Sequence, residues 1–301
     1  MTRIAVLGSR GQLGSDLVAV LRAAGSGEVI ALTRDDVDVT DAGSVHRAID
    51  AARPVVVINC AAFVRVDECE DRPGEAFSVN ALGAWNVAQA CAELAALCVY
   101  ISTDYVFDGQ KPQPYTEEDP PSPVNVYGTS KLAGEYLVRA RCPDALIVRV
   151  AATFGIAGAS GKGGNFVETI LRRAKAGELL RVINDVRISP TYTADAAGAI
   201  DRLIRNRIRG VVHVANAGTP TWYEFARTIL ELTDLAAPVM PIAASEYPSR
   251  ARRPANSALG SLRLASAAGI TLRRWDEALR AYLIQKGHMA RGSREVRHGA
   301  S

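Results

Sequence analysis

Residues 3–14 read Arg3-Ile4-Ala5-Val6-Leu7-Gly8-Ser9-Arg10-Gly11-Gln12-Leu13-Gly14, and this stretch decides the fold. Ile4 to Leu7 are apolar without a break, as in a strand covered on both faces. A glycine-rich turn follows at once and opens a segment of helical character from Gly11 to Ala24. Gly8 and Gly11 let the backbone approach a diphosphate, whose charge is favoured at a helix N-terminus. Gly14 lets the helix pack closely on the sheet. Taken alone, such a turn is equally a tight strand–helix connection. Its place directly after the first strand points to a dinucleotide site, with Gly8, Arg10, Gly11, Gln12, Leu13 and Gly14 around the phosphates.

Outward from this turn the same alternation repeats. Short apolar runs at Val29 to Leu32, Val55 to Ile58, Val99 to Ser102 and Leu146 to Val150 alternate with helical stretches. The helical stretches are Ala42 to Ala52, Leu82 to Ala96 and Val126 to Arg139. Continuous apolar strands between helices predict an α/β fold, a doubly wound parallel sheet of Rossmann type, over residues 1–150. Beyond residue 151 the pattern loosens. A glycine-rich loop at Ala157 to Gly164 is expected to be flexible, and helices are expected at Asn165 to Ala176, Thr193 to Arg205 and Trp222 to Thr233. A strand is expected at Gly210 to Val214. Residues 151–285 then form mainly a smaller C-terminal substrate-binding lobe, with some elements returning to the main sheet. Residues 286–301 are polar and Arg-rich, the composition of a disordered tail.

Bulk properties narrow the function classes. The 301 residues carry a net charge of +3, with 48% hydrophobic and 22% charged side chains, an ordinary globular balance. Lys and Arg are scattered, which argues against nucleic-acid binding. No apolar run reaches the ~18 residues a membrane span needs, and the N-terminus lacks a signal-peptide layout. Cys60, Cys69, Cys91, Cys98 and Cys142 form no C-x-x-C pair and are odd in number, so reduced thiols in a cytoplasmic setting are expected. The four histidines show no ligand spacing, and no metal site is assigned.

The second strand ends Ala31-Leu32-Thr33-Arg34. Sites for NAD usually place a carboxylate here to hold the ribose 2′-hydroxyl, whereas an Arg suits a 2′-phosphate. Arg34 therefore favours NADPH; NADH stays open because Asp35 and Asp36 follow closely. Asp38 and Val39 are placed at the adenine, with a turn role for Asp38 as the alternative.

Tyr127 and Lys131 stand four apart in a helical segment, on one helix face. A free Tyr titrates near ~10, and a nearby ammonium favours its phenolate and brings it toward the working range. Thr103, at the end of the fourth strand, lies where doubly wound folds build their sites. Its hydroxyl can orient a substrate carbonyl, or else satisfy local backbone. A glycine turn, a strand-end Thr and a Tyr-x-x-x-Lys about 24 residues later together describe a carbonyl reductase.

Three phrases then become specific: Gly11-Gln12-Leu13-Gly14, Ser102-Thr103-Asp104-Tyr105-Val106-Phe107-Asp108-Gly109, and Asn125-Val126-Tyr127-Gly128-x-x-Lys131-Leu132-x-Gly134-Glu135. They resemble dTDP-4-dehydrorhamnose reductases, extended members of the short-chain dehydrogenase/reductase superfamily. Asn59-Cys60-Ala61-Ala62, Gly164-Asn165-Phe166-Val167, Ser189-Pro190-Thr191, Trp222-Tyr223-Glu224-Phe225-Ala226 and Arg253-Pro254 extend the likeness over most of residues 3–285. The resemblance implies NADPH-dependent reduction of the C4 ketone of a nucleotide-linked 4-keto-6-deoxyhexose. Tyr127 would protonate the oxygen, assisted by Thr103 and Lys131. Cys60, Ala61, Ala62 and Lys131 would line the nicotinamide ribose with Asn80 nearby. Asp104, Tyr105, Asn165, Phe166 and Arg253 would face the nucleotide-sugar, an Arg suiting a diphosphate. The plainer alternatives are a helix N-cap for Asn165, a core place for Phe166 and a surface charge for Arg253. Some relatives form magnesium-assisted dimers; the sequence leaves both the ion and a homodimer open.

Two departures fall near the expected sugar. The family usually carries a Trp after the residue matching Arg149, where this chain reads Val150-Ala151-Ala152-Thr153. The family's Tyr-Thr-x-Val-Asp becomes Phe63-Val64-Arg65-Val66-Asp67. A dehydratase or epimerase is the nearest rival, but dehydratases place Asp-Glu after the Thr and here Tyr105 follows Asp104. A non-catalytic regulatory subunit of the methionine adenosyltransferase type, a cofactor-binding redox sensor, or a reductase of another carbonyl are the remaining alternatives. They are separated by whether NADPH is consumed and on what.

Overall fold

The computed structural model describes residues 2–158 and 164–290. The chain begins β1 (Arg3–Leu7), α1 (Gln12–Ala23), β2 (Glu28–Leu32), α2 (Ala42–Ala52) and β3 (Val56–Asn59). Two short helices follow, α3 (Val66–Asp71) and α4 (Pro73–Phe77), then a π turn at Ser78–Leu82 and α5 (Gly83–Glu93). Next come β4 (Leu97–Thr103), α6 (Val126–Arg141), β5 (Leu146–Val150), β6 (Thr153–Phe154), α7 (Phe166–Lys175), β7 (Leu180–Ile183) and β8 (Thr191–Tyr192). The last elements are α8 (Thr193–Arg205), β9 (Gly210–His213), α9 (Trp222–Leu232), β10 (Val239–Ile242), α10 (Arg263–Ala268) and α11 (Trp275–Lys286). The sequence predicts one helix over 82–96. The structure starts helical backbone earlier, at Pro73, because a first-turn proline gives up an N–H that has no partner there anyway.

A six-stranded parallel sheet runs in the order β2-β1-β3-β4-β5-β9. Alternate residues of each strand supply opposite cores, as a period of two requires. Ile4, Val6, Val56, Ile58, Val99 and Val148 pack toward Leu13, Leu17 and Leu21 of α1 and Ile200 and Leu203 of α8. Ala5, Leu7, Val57, Tyr100 and Ile147 pack toward Val45 and Ile49 of α2, Val87 of α5 and Val138 of α6. Each such Leu, Ile or Val contributes about 1.5–3 kcal/mol when fully buried. The strand order reverses between β1 and β3, and Leu7, Asn59 and Thr103 end neighbouring strands on one edge. Doubly wound sheets bind ligands in such a crevice.

A second core joins α7, β7, α9 and α11 through Ile170, Leu171, Phe225, Ile229, Trp275 and Leu279. The paired strands β10–β7 and β6–β8 border it. After residue 150 the chain also returns to the main sheet through α8, which packs on α1, and through β9, which pairs with β5. α11 stays helical to Lys286, and His288 beyond it meets Glu168 at 3.0 Å. The rest of the expected tail, from residue 291, lies outside the described residues, as do 159–163 of the expected flexible loop. No helix among the described residues is long and apolar enough to cross a membrane.

Candidate active site

The turn after β1 is shaped by what a side chain would strike. Gly8 has φ +71°, and a Cβ there would lie 2.9 Å from the amide nitrogen of Ala61. A Cβ on Gly14 would stand 2.2 Å from the Gly8 carbonyl oxygen, so α1 approaches the turn as only glycine permits. Gly11 is the N-cap of α1 in extended conformation, and no side chain caps the helix. Its first amides and the positive end of its dipole are left for an anion. This cradle fits the diphosphate of a dinucleotide. Leu13 is buried in the core, leaving only its backbone for a ligand. The Gln12 side chain is already engaged, its Oε1 accepting from the Gly155 amide at 3.0 Å. Arg10 is exposed and paired with Asp35 at 2.9 Å.

At the end of β2, Arg34 is exposed. Asp38 serves the turn role: its Oδ1 accepts from the Thr40 amide at 2.9 Å and hydroxyl at 2.8 Å, which holds its carboxyl below the usual range. Val39 is buried against Gly83, and Asn86 holds the Val39 carbonyl at 2.9 Å.

The residues expected to carry the reduction assemble where β4 meets α6. Asn125 caps α6, its Oδ1 accepting from the Gly128 amide at 2.8 Å, and Glu70 of α3 accepts from the Val126 amide at 2.8 Å. These two anchors place Tyr127, the second residue of the helix. Burial pushes its phenol well above the usual tyrosine range, with the Thr103 hydroxyl acting in the opposite sense. The Tyr105 ring stands edge-on at 5.9 Å. The Thr103 hydroxyl donates to Asp104 Oδ1 at 2.9 Å and accepts from the Tyr105 amide at 3.2 Å. Burial pushes Asp104 up to about 6, against hydrogen bonds from Ser257 and Thr103.

Lys131, 2% exposed, donates from Nζ to the Ile101 carbonyl at 2.7 Å and lies 4.1 Å from the centroid of the Tyr100 ring. Burial pushes it down to about 7, opposed by Glu135 and Cys60. The expectation that its ammonium draws the Tyr127 phenol down is not met. Burial outweighs any pull from the ammonium, and Lys131 Nζ is held on the Ile101 carbonyl of β4. Tyr127 is thus held as a neutral phenol, the form a proton donor needs.

Asn80 is buried and fully used. Its Oδ1 accepts from the Phe63 amide at 2.8 Å, and its Nδ2 donates to the Phe63 carbonyl at 3.1 Å and the Ser130 hydroxyl at 3.0 Å. Because it lies in the π turn its own carbonyl is free to accept from the Tyr100 hydroxyl at 2.7 Å. Asn80 therefore supports the loop of Cys60, Ala61 and Ala62 from behind. Burial pushes the Cys60 thiol up to about 12, so it is neutral.

On the opposite side Arg253 donates from Nη2 to Asp67 at 3.0 Å, with its guanidinium 5.7 Å from the Tyr247 ring centroid. Among the described residues its buried Nε has no hydrogen-bond partner. Beside it is a cavity of about 300 Å³ lined by Tyr105, Trp222, Tyr247, Ser249, Arg252 and Arg253, among others. Asn165 takes the N-cap role on α7, accepting from the Glu168 amide at 3.0 Å and donating to the Gly155 carbonyl at 3.1 Å and the Tyr282 hydroxyl at 3.2 Å. Phe166 packs at 4.6 Å on Trp222 and 5.4 Å on Phe225. Neither Asn165 nor Phe166 lines the cavity. Arg65 pairs with Glu68 at 2.5 Å on the surface.

Asp67, Glu70 and Ser257 are site residues given no role by the sequence reading. Each acts on a partner distant in the chain, and the only local sign was the acidic run of α3.

Residues 1–287 match the family described as RmlD substrate binding domain. The spore coat polysaccharide biosynthesis protein SpsK of Bacillus subtilis is 42% identical over 95% of this chain and 98% of its own. The dTDP-4-dehydrorhamnose reductase of Mycolicibacterium smegmatis is 41% identical over 92% of this chain and 84% of its own. The crystal structure of the Bacillus anthracis dTDP-4-dehydrorhamnose reductase in complex with NADP superposes with a TM-score of 0.90 at 35% identity, covering 95% of this chain and 100% of that one.

Proposed function

From the premise that the chain belongs to the dTDP-4-dehydrorhamnose reductase family of extended short-chain dehydrogenase/reductases, we propose that it reduces the C4 ketone of a nucleotide-linked 4-keto-6-deoxyhexose, dTDP-4-dehydrorhamnose or a close relative, in deoxysugar biosynthesis. The observation that carries this is the meeting of Thr103, at the end of β4, and Tyr127, at the start of the helix α6 that packs on β4, on the edge that also holds the glycine cradle. NADPH, when bound, supplies the hydride that the carbonyl carbon receives. The Tyr127 phenol gives its proton to the carbonyl oxygen, and Thr103 donates a hydrogen bond to that oxygen as it gains charge. Lys131 and the Cys60–Ala62 loop hold the nicotinamide ribose, the amides after Gly11 hold the diphosphate, and Arg34 meets the 2′-phosphate. In this reading residues 1–150 carry the cofactor and 151–285 mainly the sugar nucleotide, with Arg253 on its diphosphate. The five free thiols fit a reducing cytoplasm.

The test follows NADPH absorbance with dTDP-4-keto-6-deoxy sugars made in situ. The wild type is expected to oxidise NADPH rapidly. Tyr127→Phe is expected to lower kcat by about 10²–10⁴-fold, the usual worth of a general acid, with NADPH affinity unchanged. Binding of NADPH without turnover of any such sugar would sink the substrate assignment.

A further inference from the structure

Residues 248–254, which follow β10 and carry Arg253, form neither helix nor strand. Side chains hold them instead. From α3, Asp67 accepts from the Ser249 hydroxyl at 2.9 Å, the Ala251 amide at 3.1 Å and Arg253 Nη2 at 3.0 Å, and Asp71 pairs with Arg250. A further anchor comes from the helix of Tyr127: Asn125 Nδ2 donates to the Arg252 carbonyl at 2.9 Å. Asn125 is 6% exposed, and both ends of its amide are used. Its Oδ1 caps α6 by accepting from the Gly128 amide at 2.8 Å, while Nδ2 makes the bond to Arg252. Ser and Asp cap helices about as well as Asn, but neither carries an amide donor. The cap alone therefore does not call for Asn.

The Asn125 bond falls on the peptide that leads into Arg253. That peptide is planar, so fixing the Arg252 carbonyl oxygen fixes where the Arg253 Cα lies. On the other side Pro254 is buried, and its ring restricts the residue before it to extended backbone. Pro254 packs so near Gly109 that a Cβ on that glycine would stand 2.5 Å from its own Cβ. The backbone is thus set before and after Arg253, and Asp67 holds the end of its side chain beside the cavity.

We infer that Asn125 is a positioning residue for the nucleotide-sugar: one side chain starts the helix of the proton donor and fixes the peptide of the Arg that meets the diphosphate. The inference rests on the role just proposed for Arg253. It joins two residues 127 positions apart, so the spacing between acid and diphosphate anchor is set across one hydrogen bond.

The test is calorimetric titration of the full chain, preloaded with NADP, with dTDP, which carries the diphosphate and has no ketone to reduce; turnover is followed in parallel. Asn125→Ser keeps a neutral cap and removes the amide. Asn125→Asp keeps the cap and the shape, and carries the measurement if the first variant fails to fold. The dTDP dissociation constant and the KM for nucleotide-sugar are expected to rise about three- to tenfold, the usual worth of one hydrogen bond. The kcat and the NADPH affinity should move less, because the cap persists. In an Arg253→Ala background the same substitution is expected to change dTDP affinity by less than about twofold, since residues that act through one another are not additive. A merely structural defect weakens binding alike in both backgrounds. Equal losses in the two backgrounds, wild-type affinity in Asn125→Ser, or no dTDP binding by the wild type would each overturn the inference. A coupled loss of dTDP affinity in a protein that reduces no 4-keto sugar keeps the role of Asn125 and removes the proposed ketone; full turnover with an unmoved dissociation constant does the reverse.

Discussion

Around Gly8, Gly11 and Gly14 the site surface is backbone, drawn so tight that a Cβ on Gly14 would stand 2.2 Å from a carbonyl oxygen. Around Arg253 it is side chain: an ion pair to Asp67 spans 186 residues of sequence, and Asn125 reaches the Arg252 carbonyl at 2.9 Å. The first region, in the proposed function, would recognise through geometry fixed by what is missing from three residues. The second, in the proposed function, would recognise through charge held in place by partners from the other half of the chain. Backbone recognition tolerates almost no substitution, whereas side-chain recognition is graded, because each partner supplies only part of the hold.

That contrast can be broken by measurement, and the largest effect belongs to the cradle. Gly14→Ala is expected to lower stability by about 1–3 kcal/mol, the usual cost of overpacking, and to abolish NADPH binding in a fluorescence titration. Wild-type affinity would show that the turn yields and that its tightness is incidental. Arg253→Ala comes next, with an expected rise of about 10–100-fold in KM for the nucleotide-sugar, the worth of a charge-assisted hydrogen bond. Its kcat and NADPH affinity should stay near wild type. An unchanged KM would move Arg253 out of the site.

A smaller effect sharpens the boundary between the regions. Asp104 is pushed up to about 6, above the ordinary Asp value, so its carboxylate form prevails only above that pH. Falling pH removes the acceptor that competes with the substrate oxygen for the one Thr103 proton, so kcat/KM is expected to rise as pH falls through about 6. Asp104→Asn keeps an acceptor oxygen without the proton and should flatten that limb; an unaltered limb would assign it elsewhere. The smallest change is Asp67→Asn, which releases a half-exposed ion pair. KM is expected to rise about threefold or less, and a rise matching that of Arg253→Ala would mean that Asp67 itself meets the substrate.

The regions differ equally in how legible they were. Strands β1 and β5 and helices α2 and α8 follow their apolar patterns closely, because burial on both faces or on one stripe leaves a periodic trace. The glycines, Thr103, Tyr127 and Lys131 were readable because the chemistry needs those residue types at short, fixed spacing. Asn165 was not: the sequence cannot distinguish an N-cap from a ligand until Tyr282, 117 residues away, occupies its amide. The environment of Lys131 escaped for the same reason. Spacing put it on the face of Tyr127, and β4 supplied the carbonyl and the ring that its Nζ meets.

By itself, then, the sequence determined the parallel sheet and the glycine turn and singled out the residues proposed to carry the reduction, all of which rest on neighbours within a few dozen positions. Tertiary structure alone decided which of those residues carry a proton and which bonds hold the substrate side. Protonation depends on burial and on charges brought near by folding, and in water the same Lys131, Asp104 and Tyr127 would titrate at their ordinary values.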